Sequence, residues 1–178
     1  MKLRTGLLAF AAVVSSAAVF AQEPVVGKAD ESLFTDKDPA LHINKQATLH
    51  IMKELLQCGQ WERSGEWLTD AYHQHNPNAA TGRAAVVQFF TQVMKQPRTA
   101  SCDKLTGQIV AVTAQGDLVT VLVPRRYKDP RDATKCYSTT WFDTWRFVNG
   151  KADEHWDPAT IAPPAAGAPA PPTGVTAK

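Results

Sequence analysis

The hydrophobic period of this chain changes once, at Pro97, and that single switch restricts the fold to one class. Before Pro97 the apolar residues recur at helical spacing. Thr48, Ile51, Met52, Leu55 and Leu56 form one stripe, opened by the capping pair Asp38-Pro39 and stopped at Cys58-Gly59. A second, shorter helix is predicted over 60–72, with Trp61, Leu68 and Tyr72 on its stripe. A third opens after Thr81-Gly82, carries Val86, Val87, Phe90, Val93 and Met94 inward, and ends before Pro97. Beyond it, residues 105–114, 118–127, 137–148 and 151–157 are rich in Val, Thr and aromatics, with turns at Gln115-Gly116-Asp117 and Asn149-Gly150. Helices followed by a meander predict an α+β domain, with three N-terminal helices packed on a strongly curved, mostly antiparallel sheet that encloses a pocket.

The flanks set the boundaries. Lys2 and Arg4 precede an apolar run from Leu7 to Phe20 that ends in Val19-Phe20-Ala21, which reads as a secretory signal cleaved after residue 21. The run is shorter than the roughly 20 apolar residues a bilayer span requires, so no span is expected after cleavage. The product is expected in the periplasm or outside the cell. Cleavage removes two basic residues and no acid, taking the formal charge from +2 to zero, which leaves no electrostatic case for binding nucleic acid. Residues 22–37 read as an extension, 38–158 as the domain and 159–178 as a disordered tail rich in Pro and Ala.

The candidate chemistry lies in two segments, Tyr72-His73-Gln74-His75-Asn76-Pro77 and the run from Phe142 through Asn149-Gly150 to Glu154-His155-Trp156-Asp157. They supply imidazole, amide and carboxylate groups among aromatics, which suits holding a carbonyl compound and moving its protons. The turn at Asn149-Gly150 decides which of these groups share a face. A two-residue turn pairs Thr144 with His155 and leaves Asp143 on the opposite face. A three-residue loop with Gly150 in a bulge puts Asp143 opposite His155 and gathers Asp143, His155 and Asp157 into one polar patch. The residues leave both registers open.

The order helix, helix, His-Asn-Pro segment, helix, then a meander carrying Asp-x-x-Arg-Phe and Gly-Lys-x-x-Glu-His-Trp-Asp resembles the SnoaL-like polyketide cyclases of the nuclear transport factor 2 superfamily, over about residues 40 to 158. The resemblance implies a cone-shaped α+β domain and an intramolecular aldol closure that needs neither metal nor cofactor. It implies that Asp157 is the acid/base and that His155 helps hold the substrate oxygen. By comparison with the related steroid isomerases, Asn76 stands where a general-base aspartate is found and Asp143 where a protonated aspartic acid donates to an enolate. Asn76, His75, Asp143 and Trp145 are therefore expected to contact substrate. The expected ligand is a small hydrophobic carbonyl compound, and the exposed sheet face is a candidate homodimer surface. The apolar stretch Val119-Thr120-Val121-Leu122-Val123 favours an alternative, a non-catalytic exported module that binds a small ligand or dimerises.

Other groups carry less. His73 and His75 alternate on one strand face, but their spacing alone does not define a metal site and none is assigned. Arg125, Arg126, Lys128, Arg131 and Lys135 read as a solvated basic hairpin connection, with contact to an acidic ligand as the sharper reading. Of the three cysteines, Cys102 and Cys136 are expected to enter strands at the same end of the sheet and to pair, leaving Cys58 buried.

Overall fold

Asp38 opens the first helix as its sequence predicts. In the computed structural model, which describes residues 23–161, its carboxylate accepts the N–H groups of Ala40 (2.8 Å) and Leu41 (3.2 Å), and Pro39 fills the first turn. Helix α1 spans Pro39–His50 and runs on as a π-helical segment, Ile51–Gln57, in which the Cys58 N–H reaches back to the Lys53 carbonyl. Widening the turns frees carbonyls near the helix end. The Gln96 side-chain amide meets two of them, Leu55 O at 3.2 Å and Leu56 O at 2.8 Å, while its oxygen accepts from the Trp61 indole N–H. The predicted stripe is buried: Thr48, Ile51, Met52 and Leu55 face inward with Phe34 and Trp61.

The predicted second helix is mostly a strand. Only Ser64–Trp67 forms a short helix, α2, and Leu68–Gln74 is strand β1. Leu68 and Tyr72 are buried as expected, but a spacing of four fits a strand face as well as a helix face, and pairing with the last strand decides the matter. Helix α3, Arg83–Gln88, continues as wide turns over Phe89–Val93. Those turns rotate the stripe away from the core, so Val93 and Met94 are exposed rather than buried.

Strands β2 (Ala111–Gln115), β3 (Leu118–Asp129), β4 (Asp132–Val148) and β5 (Lys151–Trp156) form the meander. With β1 they make one open sheet in the order β1-β5-β4-β3-β2, parallel only between β1 and β5. Leu55, Leu68, Val86, Ile109, Val119, Val121 and Trp145 fill the space between helices and sheet. The α+β fold therefore stands as predicted, with one unpredicted strand. The basic run is the tip of a long β3–β4 hairpin. The signal segment and most of the tail lie outside the described residues.

Residues 95–110 are not the start of a strand, as predicted from Leu105 onward, but a strap over the end of α1. Gln57 Oε1 accepts from the N–H groups of Thr106 and Gly107, Gln60 donates to Thr99 and Ala100, and Thr99 N–H bonds to Cys58 O. This course corrects the disulfide expectation. Cys58 and Cys102 are bonded, with Cα atoms 6.1 Å apart, and Cys136 is a free, exposed thiol on the distant hairpin. Glu31 clips the strap from the other side, accepting from Leu105 N–H (2.7 Å) and Lys53 Nζ (3.3 Å). The Leu105 N–H bond holds its carboxyl below the usual glutamate range. Because the folded value is depressed, this contribution is complete above an unfolded value near 4.5 and is lost as pH falls through the folded value. The protection factor of the Leu105 amide, its exchange rate relative to the unstructured chain at the same pH, is therefore expected to fall below about pH 4.5, and to be lower in Glu31→Gln than in the native chain at neutral pH. A protection factor in the native chain that does not change with acid would contradict this.

Candidate functional site

Asn149 (φ 50°) and Gly150 (φ 75°) make the two-residue turn, flanked by the pair Val148 and Lys151. The register then changes. Phe147 pairs with Ala152 but Arg146 pairs with Glu154, so Asp153 is an extra residue in β5. Its carboxylate accepts the Thr69 hydroxyl at 2.6 Å, tying the bulge to the irregular part of β1. Trp145 thus faces His155 and Thr144 faces Trp156, a register that matches neither sequence reading. The turn is the two-residue one, yet the bulge restores the shared face that the longer loop would have given.

Asp143, His155 and Asp157 each direct a donor atom to one place, all within 4.8 Å of one another. Asp143 and His155 are buried and Asp157 is half-buried. They lie in a cavity of about 550 Å³ whose walls include Met52, Leu55, Phe90, Trp141 and Trp145. Strand β1 and the segment just after it send Tyr72, Gln74 and Asn76 to the same cavity, and the strap closes it with Leu105, Thr106 and Gly107.

Hydrogen bonds fix the protonation pattern. Gln74 Oε1 accepts the Asn76 backbone N–H at 3.0 Å, so the oxygen, not the nitrogen, faces His155 Nδ1 at 2.8 Å. His155 therefore carries a proton on Nδ1. Its Nε2 lies 3.3 Å from Asp143 Oδ1, which also accepts the Trp141 indole N–H at 3.1 Å. A proton on either atom would bridge Nε2 and Asp143 Oδ1. Asn76 is oriented in the same way: its oxygen accepts from Asn78 N–H, leaving its amide N–H to donate to Asp157 Oδ2 at 2.7 Å. Asp157 Oδ1 accepts from Ala159 N–H at 2.9 Å. In ¹⁵N-resolved NMR, His155 is expected to show a protonated Nδ1, and Gln74→Leu to remove that preference. An Nε2-only proton in the native chain would overturn the assignment.

Tyr72 was missed as a site residue because it was read as core on a helical stripe. Its hydroxyl accepts the Trp145 indole N–H at 3.0 Å, and burial pushes the phenol well above its ordinary value, so it stays protonated. Among the described residues no acceptor takes its proton, which is free to serve the cavity. Gln74 was missed too. The alternation Tyr72, Gln74, Asn76 was the available signal, once the segment is read as a strand.

His75, expected at the pocket rim, is not in the cavity. It lies just past β1 on the same outer side as His73, pairs with Glu154 at 2.8 Å and stacks on Trp156 with ring centroids 5.2 Å apart. Strand alternation sends it there once Asn76 points inward. Trp145 does line the cavity, with its indole N–H committed to Tyr72. Among the described residues, Asp143, His155 and Asp157 are the group whose donors converge enough to hold a cation. As arranged, the Asn76 and Ala159 N–H groups donate to Asp157, the Trp141 N–H donates to Asp143, and His155 Nδ1 donates to Gln74.

The SnoaL-like domain family profile matches residues 52–155. Similar solved structures include a candidate SnoaL-like polyketide cyclase from a Jannaschia species, 18% identical over 70% of this chain and 91% of that one, with a TM-score of 0.47. A protein of unknown function from Burkholderia pseudomallei, described as NTF2-like, is 18% identical over 66% of this chain and 91% of its own, with a TM-score of 0.46. Another of unknown function with a cystatin-like fold, from Xanthomonas campestris, is 16% identical over 64% and 88%, also with a TM-score of 0.46. No curated protein is significantly similar to the chain. With its profile match covering more than half of its length, the chain belongs to the SnoaL-like domain family.

Proposed function

We propose that the protein is an exported SnoaL-like enzyme that takes a small carbonyl compound into its cavity and moves a proton there without a cofactor. The convergence of Asp143, His155 and Asp157 at the wall of an apolar cavity carries this reading. In the proposed step Asp157 removes a proton from the carbon beside the carbonyl, and the bonding pair passes to the carbonyl oxygen. The Tyr72 O–H and a proton bridging His155 and Asp143 are the proposed donors to that oxygen. The enolate then attacks a second carbonyl, forming the ring bond of an aldol closure and an alkoxide that takes the proton back from Asp157. Where a carbon–carbon double bond is conjugated with it, the dienolate instead takes that proton at its far carbon. The Cys58–Cys102 bond supports the export reading, since such bonds persist in oxidising compartments. Among the described residues no helix is long and apolar enough to cross a membrane. The outer sheet face, with exposed Phe142 and Val148, is the proposed dimer surface.

A second reading, capture without turnover, is favoured by strand β3 beside the cluster, where Val119 and Val121, the partners of Trp145 and Asp143, are fully buried and Val123, which lines the cavity, is apolar. Deuterium exchange separates the two. The purified chain, incubated with ethyl 3-oxohexanoate in deuterium oxide under mildly acidic conditions, is expected to speed loss of the C2 proton signal. Saturable binding of the ester without faster exchange would leave only the capture reading.

A further inference from the structure

We propose that the ligand of this cavity bears a carboxylate, and that Arg125 at the cavity mouth binds it. The inference rests on the reading of the cavity as a site for a carbonyl compound, and it narrows the class to oxo acids.

Arg125 shares the inner face of β3 with Val119, Val121 and Val123, and it lines the cavity at its outer end. Its guanidinium lies over the Trp141 ring, 5.5 Å from the centroid, which holds it at the mouth without neutralising it. The same indole donates to Asp143, so one tryptophan carries the cation over its face and the acidic cluster at its N–H edge.

What distinguishes Arg125 is its lack of a carboxylate. Among the described residues, Arg63, Arg83, Arg98, Arg131 and Arg146 are all in ion pairs, and Arg125 and Arg126 are in none. The acids nearest in the hairpin are taken, Asp129 by Arg131 and Asp132 by Lys135. Across the strand pair Arg125 faces Thr139, not an acid. A planar guanidinium with open donors, stacked at the entrance of an apolar cavity, is a fitted receptor for a carboxylate. Arg126 alternates to the outer face and does not line the cavity, so it serves as an internal control.

Charge also sets direction. Asp143 and Asp157 repel a carboxylate from the deep end, while Arg125 attracts it to the rim, so the carbonyl is delivered to His155 and Asp157. Val121 faces Asp143, and Arg125 stands four residues further along β3, about 13 Å of strand. The acid and the carbonyl of the ligand are therefore separated by several carbon atoms.

The test is a comparison of 6-oxoheptanoate with its methyl ester, titrated into the purified chain and followed by calorimetry. The acid is expected to bind at least about tenfold more tightly than the ester. Arg125→Gln is expected to abolish that preference and Arg126→Gln to keep it. Equal affinities in the native chain, or a preference that survives Arg125→Gln, would overturn the proposal while leaving the cavity reading intact. Absence of binding by both compounds to the folded chain would remove the cavity reading and this proposal together.

Discussion

Asp157→Asn is expected to lower α-proton exchange by about 10³-fold while changing affinity for the carbonyl compound only a few-fold, because a positioned base acts on the transition state rather than on the bound ground state. The local hydrogen bonds make a second variant necessary. Asn76 presents its N–H to Asp157 because its oxygen is held by Asn78, and Ala159 N–H meets the other carboxylate oxygen. An amide at position 157 offers one acceptor to these two donors. Part of any loss could then be structural. Combining Asp157→Asn with Asn76→Asp restores a carboxylate facing an amide but moves the charge to the segment after β1. If exchange stays low in this folded double variant, the position of the carboxylate matters. Recovery to the native rate would show that a carboxylate at position 76 can serve as the base in place of Asp157, and exchange unaffected by Asp157→Asn alone would remove Asp157 from the chemistry.

The cluster was legible as residue types and as a family ending, but not as geometry. Both sequence registers assumed that a turn fixes everything beyond it. The Asp153 bulge lies three residues past the turn and depends on the Thr69 hydroxyl, 84 positions away in the chain. No local pattern announces such a contact. The same applies to β1, whose Leu68 and Tyr72 fit two periods at once and whose pairing is long-range. By contrast the α1 start, its buried stripe and the meander rest on local chemistry, and those expectations stand. The cysteines went astray for a related reason. Val and Thr content near residue 110 was extended backward to Cys102, where Gln57 and Gln60 instead hold the chain against α1.

Removing that disulfide, with Cys58 and Cys102 both replaced by serine, is expected to cost about 4 kcal/mol. The estimate follows from the chain entropy regained by an unfolded loop whose ends are 44 residues apart. For a domain of this size the melting temperature should fall by roughly 15 °C. Cys136→Ser, which changes an exposed free thiol, should leave it unchanged. The loss has a local side too. The strap supplies Leu105, Thr106 and Gly107 to the cavity, and without the covalent tie it is held there by Gln57, Gln60 and Glu31. Its opening free energy should therefore fall relative to that of the sheet, and strap amides should exchange by local opening while the β3–β4 ladder still reports global unfolding. Strap and ladder exchanging together in the double serine variant would mean that these side chains alone hold the cavity shut and that the disulfide acts only on the unfolded chain.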